Sequence, residues 1–314
     1  MAHYLITGGA GFIGSRLAHA LVARGDRVRI LDSFVTGRRE NLEGLGERSE
    51  VHEGSVDDPA TVERAMVGIE YVLHQAALPS VQRSVELPLE SHATNLTGSL
   101  HLLVAAQKVG VRRFVYASSS SVYGDSPQLP KVETMPVAPL SPYAVGKLGG
   151  ELYCKVFHKL HGLETVSLRY FNVFGPGQRP DSAYAAVVPR FVEALLRGEA
   201  PVIYGDGMQS RDFTYIDNVV QANLAACSAG PAVAGEAFNI ACGEAVTLLD
   251  LLQKMAEVSG RGVAPRFEPP RAGDVRNSLA DIGKATRLLG YRPSVSFREG
   301  LRRTLEAAGA MRTS

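Results

Sequence analysis

The stretch from Tyr4 to Asp32 constrains this chain more than any other. Tyr4 to Ile6 is a short apolar run that reads as a buried strand, and it breaks at once into Gly8, Gly11 and Gly14. A helical pattern follows through Phe12, Ile13, Leu17, Ala18, Leu21 and Val22 to Gly25, and a second apolar strand, Val28 to Leu31, ends at Asp32. This is a β-α-β unit with glycines at its first turn and an acid at the tip of its second strand. The first glycine permits a tight turn, the second lets the backbone approach a pyrophosphate, and the third lets helix pack on strand. Free N–H groups and the dipole at the helix start stabilise phosphate charge. Asp32 can accept hydrogen bonds from ribose hydroxyls and would repel a 2′-phosphate, so NAD is expected rather than NADP. The spacing, Gly-x-x-Gly-x-x-Gly, is one residue wider at its start than the commonest fingerprint.

With 314 residues the chain can bury a large core, as one large domain or two that share one. Its 33 basic and 32 acidic residues leave a formal charge of +1 without a basic tract, which points away from nucleic acid and anionic membranes. No run of eighteen apolar residues occurs, and a strand followed by glycines is no signal peptide. Cys154, Cys227 and Cys242 lack metal-ligand spacing and read as small buried hydrophobes in a reducing, cytoplasmic setting. The histidines include no His-x-x-x-His pair, so no metal is expected.

The alternation of strand and helix continues through most of the chain. Val51 to Glu53 is a short strand candidate, and Asp57-Asp58-Pro59 starts a helix. Tyr71 to His74 is a buried strand that runs into small residues, Gln75-Ala76-Ala77, where a cofactor could lie close or strand could pack on helix. One long helix is expected from about Pro88 to Val109, carrying Asn95 among leucines. A buried Asn needs partners, and it either orders the preceding loop or ties the helix to a strand. Arg113 to Ala117 delivers the run Ser118 to Ser121 to the carboxyl end of a strand, where doubly wound sheets bind ligands. Ser141-Pro142 opens a helix bearing Tyr143 and Lys147 on one face. Beyond a strand at Thr165 to Tyr170 the alternation loosens. The expectation is a Rossmann-type α/β domain over residues 1–170 and a smaller α/β unit over 171–314, with segments able to return to the first.

Ser119, Tyr143 and Lys147 carry the chemistry. A phenol with a pKa near 10 is a poor base at neutral pH. A lysine on the same face and a cationic nicotinamide nearby both favour its ionised form. A serine opposite would orient a substrate hydroxyl and donate to the carbonyl it becomes. Tyr-x-x-x-Lys by itself can be a helix surface pair; after a glycine-rich β-α-β unit and a serine-bearing strand it reads as a catalytic set.

These segments, with Leu168 to Gly177, Tyr204 to Ile216 and Arg271 to Asp281, make the chain resemble the extended short-chain dehydrogenase/reductase family over essentially its whole length, and within it the UDP-hexose 4-epimerases. The resemblance implies an NAD held by Gly8, Gly11, Phe12, Ile13, Asp32, Ser33, Val56, Gln75, Ala76, Ala77, Asn95, Tyr143, Lys147 and Tyr170. It implies a UDP-sugar held by Ser80, Ser119, Ser120, Ser121, Tyr143, Asn172, Val187, Val188, Tyr204, Arg211, Arg271, Asp274 and Ser278. Two arginines in the second unit suit a diphosphate, and salt bridging is their structural alternative. Ser55 departs from the family pattern, which often has an aspartate facing the adenine there. The implied reaction removes the 4-hydroxyl proton through Tyr143, passes a hydride to NAD, and returns it to the other face after the 4-keto sugar turns. The resemblance also implies a homodimer through the helices carrying Asn95 and Tyr143.

Substrate choice in such epimerases follows the room beside C2, and the gate position falls on Ser278. A small residue there predicts use of UDP-GlcNAc and UDP-GalNAc, with UDP-Glc and UDP-Gal alongside. The segment Arg179 to Tyr184 also resembles enzymes acting on N-acetylated sugars. A UDP-glucuronate 4-epimerase shares nearly every motif but must hold a C6 carboxylate, for which no dedicated group stands out. A 4,6-dehydratase would want acids where this chain has serines. A non-catalytic nucleotide-binding protein would have little reason to keep Ser119, Tyr143 and Lys147 together.

Overall fold

The computed structural model describes residues 1–179, 186–270 and 275–309. Its organising element is a parallel sheet built from β1 (His3–Thr7), β2 (Arg27–Asp32), β3 (Ser49–Glu53), β4 (Tyr71–His74), β5 (Arg113–Ser119), β6 (Thr165–Tyr170) and the strand Glu236–Ile240. In space the seven run Glu236–Ile240, β6, β5, β4, β1, β2, β3. The order reverses between β1 and β4, and the crevice at such a switch point is where doubly wound sheets take ligands. β6 is buried throughout and β5 nearly so, as expected of central parallel strands covered on both faces.

One face packs against α1 (Phe12–Ala23) and the Ile216–Ser228 helix, through Leu17, Leu21, Ile30 and Val219. The other packs against the helices Pro59–Met66, Gly98–Val109 and Pro142–His161, through Leu5, Val62, Leu102, Leu103 and Cys154. The Pro142–His161 helix starts where the sequence places it. Ser141 accepts from Ala144 N at 3.2 Å, Pro142 fills the first turn, and Gly162 ends the helix in the left-handed region at φ 70°.

The single helix expected over 88–109 is instead three pieces. An α-helical turn, Pro88–His92, passes into a π turn, Ala93–Thr97, before Gly98–Val109 resumes. The cause is tertiary. Asn95 Oδ1 accepts from Leu78 N at 2.8 Å and Nδ2 donates to Leu78 O at 3.2 Å, pulling this turn toward the loop after β4. Gly98 meets Val56 so closely that a Cβ would stand 2.6 Å from its methyl. Of the two roles open to Asn95, it orders the loop. A further short helix, Val81–Glu86, follows that loop and is capped by Ser80.

After β6 the chain leaves the sheet and comes back to it, since Glu236–Ile240 pairs with β6. Between and beyond lie three strand pairs: Val173–Phe174 with Thr214–Tyr215, Ser210–Asp212 with Ala245–Thr247, and Val202–Tyr204 with Arg266–Glu268. Phe213 stacks on Phe297 at 5.4 Å between ring centroids, and Phe174 packs edge-on to both, so this region shares aromatic core with the C-terminal helix Phe297–Ala307. Among the described residues no helix is long and apolar enough to cross a membrane, and no cluster of His, Cys, Asp or Glu could hold a metal ion.

Candidate active site

The glycine turn forms the floor of a cavity of about 830 Å³ at the carboxyl ends of β1, β2 and β4. Gly8 adopts φ +67°, and a Cβ there would stand 2.7 Å from the backbone of Ala76. Gly14 is tighter still, with a Cβ position 2.2 Å from Gly8 O. Gly11 caps α1 without a side-chain hydrogen bond, and the first turn holds no acid. The leading N–H groups therefore face the cavity with their partial positive charge uncompensated, which suits a diphosphate.

Asp32 reaches the same cavity. Its Oδ2 accepts from Ala10 N and its Oδ1 from Phe34 N, both at 2.8 Å, so the carboxylate is fixed by backbone while each oxygen keeps a lone pair for a hydroxyl. Phe12, Ile13, Ser33, Val56, Gln75, Ala76 and Ala77 line the cavity with it, and Ser55 is there too. Asn95 lies behind Leu78 and acts through it. The lining fits a dinucleotide: a turn that only glycine can make, free helix N–H groups, an acid beyond, and small residues opposite.

Tyr170 stands below this wall. Its hydroxyl and Asn223 are joined by bonds of 2.8 and 3.1 Å, and it lies 3.3 Å from Gln75 Oε1. Beneath β5 and β6, Arg169 bonds Glu151 at 2.8 and 2.7 Å, and Ser118 donates to the same carboxylate. This buried ion pair anchors the strand end from which the serine run leaves.

Ser119 accepts from Ser121 N at 3.2 Å and so starts the turn Ser120–Tyr123. The Ser121 hydroxyl is buried and makes no hydrogen bond within the described protein. Tyr143 is half-buried, and its backbone N–H donates to Ser84 Oγ at 3.1 Å. Lys147 Nζ donates to Ala117 O at 2.8 Å and lies 5.9 Å from the Tyr143 ring centroid. Serine, tyrosine and lysine are thus brought together from β5 and the Pro142–His161 helix.

The electrostatics differ from the sequence expectation. Burial pushes the Tyr143 phenol up, and the Ser119 hydrogen bond pulls it only part of the way back. The same burial pushes the Lys147 ammonium down to about 7. Both shifts have one origin: dry surroundings disfavour the charged form of each group, so lysine alone does not make this tyrosine a base.

A second cavity, of about 240 Å³, is lined by Asn172, Val187, Val188, Tyr204 and Arg211, five of the residues expected at a substrate. Asn172 adopts φ +33°, and its Nδ2 donates to Asp212 O at 3.0 Å. Gln178 borders both cavities. Ser80 does not line either; it spends its hydroxyl on Arg83 N at 3.0 Å as a helix cap. Ser278 sits on the segment that pairs with Ser210, outside the lining of this cavity. Arg271 and Asp274 lie outside the described residues, as do residues 180–184 of the segment compared with enzymes of N-acetylated sugars.

Sequence reasoning missed Gln178, Gln209 and Arg190, which share these walls. Each of the two glutamines has a buried Oε1 with no hydrogen-bond partner in the described protein. The only sequence signal is position, Gln178 just after Gly175-Pro176-Gly177 and Gln209 two residues before Arg211.

Known proteins resemble this chain over nearly its whole length. A UDP-glucose 4-epimerase of Mycolicibacterium smegmatis is 41% identical over 307 residues, spanning 96% of this chain and 97% of its own. The solved UDP-N-acetylglucosamine 4-epimerase from Methanobrevibacter ruminantium M1, in complex with UDP-N-acetylmuramic acid, superposes with a TM-score of 0.93 at 38% identity, covering 98% of this chain and 97% of that one. A UDP-glucuronic acid 4-epimerase from Bacillus cereus, solved with UDP-glucuronic acid and NAD, gives 0.91 at 33% identity over 98% of this chain and 99% of that one. Residues 4–241 match the NAD dependent epimerase/dehydratase family, and the chain belongs to it.

Proposed function

We propose that the protein interconverts C4 epimers of UDP-hexoses, keeping one NAD bound through turnover. The observation that carries this reading is the meeting of Ser119, Tyr143 and Lys147 at the carboxyl end of β5, in a chain that also has a glycine-floored groove and a second cavity bearing Arg211. NAD, when bound, supplies the chemistry of accepting a hydride from C4 and returning it. Tyr143 takes and gives back the 4-hydroxyl proton, and Ser119 holds that oxygen. Lys147, fixed by Ala117, faces the tyrosine as the proton moves. Asn172, Val187, Val188, Tyr204 and Arg211 grip the UDP, together with Arg271 and Asp274. Ser120 and Ser121 offer only small hydroxyls to the hexose, as a sugar that must turn requires.

The small side chain at Ser278 supports UDP-GlcNAc and UDP-GalNAc as substrates, with UDP-Glc and UDP-Gal accepted. Residues 1–170 form the NAD-holding unit and 171–314 the sugar-nucleotide unit, with Glu236–Ile240 returned to the first. Exposed apolar residues on the Pro142–His161 helix, Val145, Leu152, Val156 and Leu160, support a homodimer in which a second copy covers them. Three free cysteines fit a cytoplasmic enzyme. Incubation with UDP-GlcNAc, UDP-Glc and UDP-GlcA, with the products resolved, tests the reading. Turnover of UDP-GlcA alone would favour the uronate reading, and NAD binding without turnover a non-catalytic one.

A further inference from the structure

Asp212 is fully buried at the end of the Ser210–Asp212 strand, and its carboxylate is surrounded by backbone N–H groups from two other segments. Oδ1 accepts from Cys242 N at 2.9 Å. Oδ2 accepts from Gly243 N at 3.0 Å and from Ala280 N at 3.1 Å. Gly243 lies at φ +74°, so consecutive N–H groups of that turn converge on one anion. A buried carboxylate held by several amides is an expensive group to place, stable only while those partners stay.

Its partners connect directly to the second cavity. Ala280 ends a short extended segment that is tied again at Ser210: Ser278 N donates to Ser210 O at 3.0 Å, and Ser210 N donates to Arg276 O at 3.1 Å. Asn277 Oδ1 accepts from Ser210 Oγ at 3.0 Å. From the same segment Arg276 O accepts from Arg211 Nη1 at 3.1 Å. Asp212 O meanwhile accepts from Asn172 Nδ2 at 3.0 Å. Two cavity residues, Asn172 and Arg211, and the proposed gate, Ser278, therefore share one buried centre.

We propose that Asp212, seconded by Ser210, is a positioning residue for sugar-nucleotide binding and selectivity, setting the 276–280 segment against Arg211 and Asn172 without touching the ligand. The inference rests on the epimerase reading of the same cavity. Exchanging the carboxylate for an amide keeps its size but turns one acceptor into a donor aimed at backbone N–H groups, leaving at least one of them unpaired. The segment then loosens where it carries Ser278 and steadies Arg211. The dinucleotide groove shares none of these bonds.

The test is steady-state kinetics of Asp212→Asn with UDP-GlcNAc and UDP-Glc, alongside the NAD content of the purified chain. The expected result is a KM for UDP-GlcNAc at least tenfold higher, kcat within threefold, NAD content unchanged, and at least a threefold change in the UDP-GlcNAc to UDP-Glc ratio of kcat/KM. A variant with unchanged KM and ratio would overturn the proposal. So would one whose kcat and NAD content fall together with affinity, since that is general damage. Should Asp212→Asn fail to fold, Asn277→Ala removes the exposed half of the Ser210 tie. It is expected to raise KM about threefold at constant NAD content, and no change would equally overturn the idea. Calorimetry of the wild type with UDP separates the two levels: a chain that binds no UDP contradicts the epimerase reading itself, and this inference with it.

Discussion

Thr7 Oγ1 and His74 Nδ1 lie 2.7 Å apart at the carboxyl ends of neighbouring strands. The bond belongs to a directed chain. Ser99 donates to Asn95 O at 2.8 Å and so receives from His74 Nε2, also at 2.8 Å. His74 Nδ1 is left to accept from Thr7, whose oxygen receives Ala76 N at 3.3 Å. The chain assigns a neutral imidazole protonated at Nε2, and it joins the strand before the glycine turn to the π turn behind the groove.

Acid should therefore act on His74. Burial lowers its pKa from 6.5 to about 3, so the folded state binds fewer protons than the unfolded chain between these values. The stability of the neutral form is complete above 6.5 and is lost as pH falls toward 3, at up to about 1.4 kcal/mol per pH unit. Thermal melts from pH 7 to 4 at fixed protein concentration should show a shallower acid slope for His74→Asn than for wild type. Equal slopes would assign the acid sensitivity elsewhere.

Tyr143→Phe removes the proton-carrying oxygen and leaves the ring. A fall in kcat of about 10²- to 10⁴-fold is expected, with NAD content retained. Ser119→Ala should cost about 10²- to 10³-fold, the usual loss for one donor to a developing oxyanion. Stopped assays with cofactor quantified after gel filtration separate chemistry from binding, and a fully active Tyr143→Phe would remove tyrosine from the mechanism.

Gly8→Ala places a methyl group 2.7 Å from the backbone of Ala76 in a left-handed conformation. The turn must shift, and the expected outcome is protein purified without NAD and destabilised by at least about 1 kcal/mol. An alanine variant that still carries stoichiometric cofactor would show that the turn is not its seat.

On the proposed reading of Ser278 as the gate beside C2, Ser278→Tyr should abolish turnover of UDP-GlcNAc and spare UDP-Glc. Competition assays with both sugars read this directly. Equal loss of both would mean that the residue acts on the fold and not as a gate.

The β-α-β unit was legible because its signal is local: periodicity, three glycines and a terminal acid lie within Tyr4 to Asp32. The pairing of Tyr143 with Lys147 was legible for the same reason, from helical spacing. What could not be read depends on distant partners. The π turn at Asn95 exists because Leu78 and Val56 press on it. The shifts at Tyr143 and Lys147 come from burial, which no spacing encodes. Asp212 looks like any strand aspartate until the amides of Cys242, Gly243 and Ala280 close around it.

The central claim is that a hydride leaves and returns on one retained cofactor. Its most direct test is to incubate the purified chain with UDP-GlcNAc deuterated at C4, adding no NAD, and to resolve the products by mass spectrometry. The account predicts UDP-GalNAc that keeps its deuterium, at a rate that added NAD does not raise. Product that has lost the label to solvent, or no 4-epimer from any UDP-sugar while NAD is bound, would contradict it.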